Sequence, residues 1–303
     1  MATYNLSHDE KWPRAHSLFN AVEPGATTRS ELALVGVPAS STSLSPTSAH
    51  LTPTAIRQAL ARYSTFAAST STQLIGKNFV DLGDIAEPDF ETGEERVRTQ
   101  LSGARAAHSL LIALGGDNSI TYSVARALWS DLSDVGVITL DAHHDLRDGV
   151  SNGSPIWRLL QAGVKGENIV QIGISDFANS EPYTQRAREN GITVIDRAAL
   201  RQESIAIAIA RALEIAGRGG REIYVDIDVD VCDRSVAPAC PASVPGGITA
   251  DELRQAARLL ASDARVRAID ITEIDAALDT PDQRTIRLAA LLVLEAAAGV
   301  ASR

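Results

Sequence analysis

Sulfur and aromatic rings are scarce in this chain, which carries two cysteines, one methionine and only 4% Phe, Trp and Tyr. Cys232 and Cys240 are too few for a disulfide framework, so the small disulfide-stapled secreted class is excluded and a reducing, cytoplasmic setting is expected. Few rings amid 45% hydrophobic residues imply a core of Ala, Val, Leu and Ile, as in sheets buried between helical layers. Basic charge is also in short supply: 28 Lys and Arg against 38 Asp and Glu leave a formal net charge of −10. That balance speaks against a phosphate-binding surface, and no nucleic-acid partner is expected. Long apolar runs are missing too. LAALLVLEAAAGVA at 288–301 is interrupted by Glu295 and too short to cross a bilayer, so it reads as a packed helix. The start, MATYNLSHDEKW, has no apolar signal-peptide core, and no membrane role is expected.

What is present is alternation. Short β-rich runs recur at 32–38, 79–83, 109–116, 135–141, 168–174, 192–196, 222–230 and 266–272, with segments of helical spacing at 53–62, 94–108, 119–130, 182–190, 202–217 and 249–262. The pattern predicts a three-layer α/β/α fold with a central, mainly parallel sheet, in a single domain over 1–303. Thr52 before Pro53, and Thr249 before an acidic first turn, read as helix starts. The Ser, Thr and Pro-rich segment ASSTSLSPTSAHLTP (39–53) follows a strand and reads as a loop over the sheet's carboxyl edge, where open α/β sheets build sites.

Two polar clusters interrupt the apolar pattern. In TLDAHHDLRDG (139–149), Asp141, His143 and Asp145 stand at i, i+2 and i+4, so an extended backbone aims them to one side and His144 to the other. Carboxylates at a buried strand end are costly without a compensating cation, and mixed carboxylate and imidazole donors suit Mn, Fe or Zn. A solvated loop with helix-capping aspartates is the competing reading of a lone Asp-x-His. YVDIDVDVCD (224–233) weighs against it. Its alternation places Asp226, Asp228 and Asp230 on one face, where three like charges repel unless a cation sits among them. An exposed acidic edge strand remains the alternative, although the flanks are apolar rather than lysine-rich.

In order along the chain, GGDNS (115–119), DAHHD (141–145), DIDVDVCDRSVAPACPASVPGG (226–247) and DITEIDAALD (270–279) resemble the signature blocks of the ureohydrolase superfamily of arginases, agmatinases and formimidoylglutamases. The resemblance implies an arginase-like fold, a homo-oligomer (trimer or hexamer), and two Mn2+ ions sharing a water that attacks a guanidinium or amidine carbon. It implies Asp141, His143, Asp145, Asp228 and Asp230 as metal ligands, Glu273 as holder of the cationic amidine, and Asp145 and Glu273 as the catalytic carboxylates. Asp226 then takes the family's usual serine position. The first-block ligand, ordinarily histidine, is Asn118, whose amide oxygen is a weaker donor, so one metal site is expected to be weak. Asn152, in SNGSPIW, stands where arginases carry a proton-shuttling histidine, a task Asn cannot perform at neutral pH.

Arg147 and DLRDGVSNGSP resemble the formimidoylglutamase pattern most, and GISDFANS (173–180), with Asn179, adds a further substrate-side match. A guanidinium fork suits a carboxylate and repels an agmatine-like dication; pairing of Arg147 with Asp148 or Asp145 is the structural alternative. With Arg147, Asn152, Asn179 and Glu273 as substrate-binding residues, the expected substrate is a small anionic amidine. The expected reaction is metal-dependent hydrolysis of N-formimidoyl-L-glutamate to L-glutamate and formamide, a step of histidine degradation. Hydrolysis of N-hydroxyarginine, agmatine or guanidinobutyrate, and a non-catalytic metal- or ligand-binding role, stay open at this point. Cys232 and Cys240 read as inert thiols, His50 as a weak site candidate, and His8, His16 and His108 as ordinary residues.

Overall fold

The computed structural model describes residues 6–22 and 28–303; the first five residues of the start discussed above lie outside them. Among the described residues eleven strands are formed: β1 (Phe19–Ala21), β2 (Ser30–Val37), β3 (Phe66–Ala67), β4 (Thr72–Gln73), β5 (Phe79–Asp84), β6 (His108–Gly115), β7 (Val135–Leu140), β8 (Ile169–Ile172), β9 (Thr193–Ile195), β10 (Glu222–Asp228) and β11 (Val266–Thr272). The α-helices are α1 (Thr52–Leu60), α2 (Phe90–Gln100), α3 (Ala104–Ala107), α4 (Ile120–Leu128), α5 (Pro155–Gln161), α6 (Glu181–Glu189), α7 (Ile205–Ala216), α8 (Ala250–Ser262) and α9 (Arg284–Val300). Nine strands make one sheet in the order β1-β5-β2-β6-β11-β10-β7-β8-β9, every neighbouring pair parallel, while β3 and β4 form a separate antiparallel pair.

Successive strand residues point to opposite faces, and the core divides accordingly. Leu110, Ile112 and Leu114 of β6 join Ile56, Leu253 and Leu292 from α1, α8 and α9 on one face. Leu111 and Ala113 join Val97, Val124 and Leu159 from α2, α4 and α5 on the other. The three-layer α/β/α expectation therefore holds, and all eight β-rich runs are strands. The apolar run at 288–301 lies almost wholly in α9, buried against α1 and α8.

Four local readings change. Thr52 is the first residue of α1 rather than its cap, because its hydroxyl donates to the Ile274 carbonyl at 2.5 Å. The single helix read over 94–108 is two: α2 stops at Leu101, Gly103 turns the chain at φ 85°, and His108 already begins β6. α7 begins three residues later than read, at Ile205, where the Ser204 hydroxyl accepts the Ile207 N–H. The alternating run 222–230 leaves the extended conformation after Asp228, and Val229–Val231 is a 3-10 turn.

Thr249 does cap α8. Its hydroxyl accepts the Glu252 N–H at 3.2 Å while the Glu252 carboxylate accepts the Thr249 N–H at 2.7 Å. Thr249→Ala is expected to destabilise the protein by about 1 kcal/mol, the usual loss on removing such a cap. Urea denaturation measures it, and Glu252→Ala in the same background should add less than it costs alone, because the two halves act together.

Candidate metal centre

The carboxyl ends of β11, β10 and β7, three adjacent strands at the middle of the sheet, open onto one cavity of about 330 Å³. The Ser/Thr-rich loop after β2 closes one side, contributing Ser43, Leu44 and Thr47 to the wall. Carboxyl groups pin that loop: Asp89 accepts the Ser40 and Ser41 N–H groups, Asp117 the Ser43 hydroxyl, and Asp275 the Ser48 N–H. Its backbone also passes close to β6, for a Cβ at Gly116 would lie 2.3 Å from the Ala39 oxygen.

Asp141, directly after β7, is fully buried, and its Oδ1 accepts the His143 N–H at 2.6 Å. Asp228, the last residue of β10, accepts the Asp230 N–H at 2.8 Å, and Asp230 in turn accepts the Ala142 N–H at 3.0 Å. These contacts stitch the two strand ends together. His143 Nδ1 lies 2.7 Å from Asp230 Oδ2 and 3.5 Å from Asp141 Oδ1. Ligand atoms of Asp141, His143 and Asp230 all fall within 4.8 Å of one another.

Asp145 belongs to a different part of the site. The extended i, i+2, i+4 geometry is not kept, because the chain leaves β7 at Leu140 and Asp145 adopts φ 53°. Its Oδ2 accepts a hydrogen bond from the Asn118 amide nitrogen at 2.6 Å. The Asn118 oxygen, expected to face a metal, is turned the other way and accepts the Thr272 hydroxyl at 2.9 Å, with Thr121 at 3.0 Å. Glu273, also left-handed at φ 62°, accepts the Asn118 N–H at 2.7 Å and the Asn152 amide at 2.8 Å through one oxygen. Non-glycine residues in this region carry about 1–3 kcal/mol of strain each, stored here at two of the site's carboxylates.

Burial sets the protonation of the cluster. It pushes Asp141 and Asp228 well above the carboxylate range, with the charge of neighbouring aspartates adding. It lifts Asp145 to about 7, against the charge of His143, and lifts Glu273 to about 8, with Asp117 adding. His143 rises to about 12: burial opposes its charge, but Asp230 and Asp141 outweigh burial. Asp230 alone is held low, since the His143 charge offsets its burial. An imidazolium and several protons thus occupy the place of positive charge among these acids. Fully buried Asp141 Oδ2 lacks any hydrogen-bond partner among the described residues. Hard carboxylate oxygens with one imidazole and a partnerless oxygen fit a divalent cation of the Mn type.

The remaining expected site residues divide by whether their polar atoms are free. Asn152 and Asn179 line the cavity, but their amides are engaged: Asn152 Oδ1 accepts the Leu44 N–H at 3.0 Å, while Asn179 accepts the His144 N–H and donates to the Ala142 carbonyl, both at 2.9 Å. They brace the site rather than offer free amides to a ligand. Arg147 has neither of its suggested pairings. Asp148 pairs with Arg186 at 2.9 Å, Asp145 with Asn118, and no ion pair of Arg147 occurs among the described residues. His50 is exposed and outside the cavity, and both cysteines are buried and unbridged, their thiols pushed up by burial.

Sequence reasoning missed the layer beneath the ligands. Asp226, read on the metal face, is fully buried and raised by burial and by the charge of Asp270. Asp270 accepts the Tyr224 and Thr121 hydroxyls at 2.5 and 2.8 Å. His144 lines the cavity too, and its Nδ1 meets Gln171 Oε1 at 2.7 Å while the Gln171 amide donates to the His144 carbonyl at 2.9 Å. Gln171 inside IVQIGI and Asp270 inside AIDIT were visible as polar residues in apolar strands, the one signal that could have found them.

The arginase family model matches residues 30–299. Formimidoylglutamase of Bacillus subtilis is 35% identical over 281 residues, covering 88% of this chain and 86% of that protein. The crystal structure of formimidoylglutamase from the same organism superposes with a TM-score of 0.91 at 32% identity, covering 99% of this chain and 96% of the other. A manganese-containing structure of Trypanosoma cruzi formiminoglutamase, 24% identical, shares the fold with a TM-score of 0.86 over 96% of this chain and 99% of its own.

Protonation of this cluster makes the stability of the metal-free protein pH-dependent, and the sign follows from the shifts. Asp145 and Glu273 keep their protons to about pH 7 and 8 in the folded protein, whereas the unfolded chain releases them near 3.8 and 4.5. The metal-free folded state therefore binds more protons than the unfolded one, and its stability falls as pH rises across that window. His143, raised from 6.5 to about 12, adds a fall of the same sign above 6.5. The rise in Tm on adding Mn2+ to chelator-stripped protein is expected to be larger at about pH 8 than at about pH 5.5, because a cation replaces the displaced protons only where they leave readily. Scanning calorimetry at the two pH values measures it.

Proposed function

The chain belongs to the arginase family, and on that footing we propose that it is a formimidoylglutamase, hydrolysing N-formimidoyl-L-glutamate to L-glutamate and formamide. The observation that carries the substrate choice is Arg147, which makes no ion pair among the described residues and lines the same cavity as the carboxylates of Asp145, Asp228, Asp230 and Glu273. A substrate with a cationic amidine and anionic carboxylates complements both: Glu273 meets the amidinium, and Arg147 meets a carboxylate. The relatives named above as formimidoylglutamases support the same reading, and so do their shares of identity over most of both chains.

Asp141, His143, Asp145, Asp228 and Asp230 would hold manganese, whose Lewis acidity would make water nucleophilic at neutral pH. The chain's own residues do the rest. Glu273, braced through one oxygen by Asn118 and Asn152, orients the amidine and favours its cationic form. Water adds to the amidine carbon, the bond to the glutamate nitrogen breaks, and the proton lost by water must reach that leaving nitrogen. Asp145 suits the transfer by position: it lines the cavity, and only one of its oxygens is engaged by Asn118. Asn152 cannot serve as carrier, because its amide is committed to Leu44 and Glu273.

Two metal positions of unequal strength follow from the same residues. Asp141, His143 and Asp230 converge and make the tighter one. The side formed by Asn118 and Asp145 lacks a second imidazole and is the weaker. Elemental analysis across a Mn2+ titration should show stepwise filling, with Asn118→His raising occupancy at limiting Mn2+ and leaving substrate preference unchanged. Equal, tight filling of both positions in the wild type would contradict the inequality.

The substrate proposal is tested by a panel of formimidoylglutamate, arginine, agmatine, guanidinobutyrate and N-hydroxyarginine under added Mn2+. Formimidoylglutamate should give the highest kcat/KM. Arg147→Gln should lower that value by the worth of a charge-assisted hydrogen bond, about 1.5–3 kcal/mol, chiefly through KM and with metal content unchanged. Preference for agmatine, or bound metal without turnover on any member, would overturn the proposal.

A further inference from the structure

Arg147 is a long, flexible side chain on an exposed loop, and recognition of a carboxylate needs its guanidinium held over the cavity rather than free to wander. The loop 147–153 closes on itself, with the Arg147 N–H donating to the Gly153 carbonyl at 3.0 Å. The side chain then runs back across Gly153. A Cβ built on Gly153 would lie 2.8 Å from Arg147 Cδ and 3.2 Å from its Nε, and 3.1 Å from Leu44 Cδ1. Gly153 does not occupy the left-handed region, so its conformation suits any residue. What requires glycine here is the groove, walled by Leu44 and floored by the bare Gly153 backbone, along which Arg147 passes.

We propose that Gly153 is a specificity-determining residue, acting through Arg147 by leaving the groove that aims the guanidinium at the carboxylate of an anionic amidine. The inference rests on the reading of Arg147 as the carboxylate partner. Contact at 2.8 Å with Cδ is at mid-chain, so a methyl group there shifts the guanidinium beyond it by more than it shifts Cδ. Asp148, the acid next in sequence, is drawn off by Arg186, which pairs with it at 2.9 Å, donates to the Leu146 carbonyl at 2.6 Å and lies over the Trp157 ring at 4.3 Å. Steering and freedom from pairing together leave Arg147 available.

The test is a double-mutant cycle on the Mn2+-loaded enzyme, with wild type, Gly153→Ala, Arg147→Gln and the double variant assayed on formimidoylglutamate. Gly153→Ala is expected to raise KM by about tenfold, the equivalent of one weakened charge-assisted hydrogen bond, with kcat and bound metal near wild type. In the Arg147→Gln background it should add nothing, because the group it displaces is gone. An equal KM rise in both backgrounds would show a merely structural effect and overturn the inference, as would an unchanged KM in Gly153→Ala beside a raised one in Arg147→Gln. If Arg147→Gln itself leaves KM unchanged, the carboxylate reading falls, and the inference falls with it. Leu44→Ala removes the other wall without adding atoms and is expected to raise KM only where Arg147 is present, which keeps the proposal open to refutation if Gly153→Ala misfolds.

Discussion

Eight carboxyl groups, those of Asp117, Asp141, Asp145, Asp226, Asp228, Asp230, Asp270 and Glu273, are buried at or beside the carboxyl ends of four neighbouring strands. Burying ionised acids together is among the costliest things a fold can do, and much of the surrounding structure answers that cost. Backbone N–H groups of Ala142, His143 and Asp230 donate to three of the acids. Hydroxyls of Tyr224, Thr121 and Ser43 donate to two more. What these contacts leave uncompensated is met by the His143 imidazolium and by protons.

The same constraint explains why strain gathers here. Asp145 and Glu273 are held in left-handed backbone conformations, which persist only where neighbours over-determine them. Asn118 is the chief neighbour of both, since its amide donates to Asp145 and its N–H to Glu273. One residue thus ties Asp145 to Glu273. A histidine in its place would offer a metal donor, and it would lack the amide that now bridges Asp145 and Thr272. The site's departure from the family pattern therefore changes its bracing as well as its ligand set.

Much of the fold was legible in the sequence because a parallel sheet covered on both faces imposes short apolar strands alternating with amphipathic helices. The edge strand Phe19–Ala21 escaped notice because three residues, two of them exposed, carry too little pattern, and α5 because it is short and follows the polar site loop. At the site, DAHHD and DIDVD marked side chains that the fold brings together, among them Asp141, His143 and Asp230. Their directions could not be read. Side-chain alternation predicts orientation only while the backbone stays extended, and both runs bend where the ligands begin, at Asp141 and Val229. Asn118, Asn152 and Asn179 illustrate a second limit: an amide can bind ligand or backbone equally well, and only the folded neighbours decide which.

The central claim is that protons and the His143 cation hold, in the metal-free protein, the place a divalent metal takes. Calorimetric titration of Mn2+ into chelator-stripped protein near neutral pH, repeated in two buffers of different ionisation enthalpy, counts the protons exchanged per metal bound. The account predicts net release of at least one proton, from His143 or the raised carboxyls, with the observed heat depending on the buffer. Metal binding with no proton released, and a heat independent of the buffer, would contradict it.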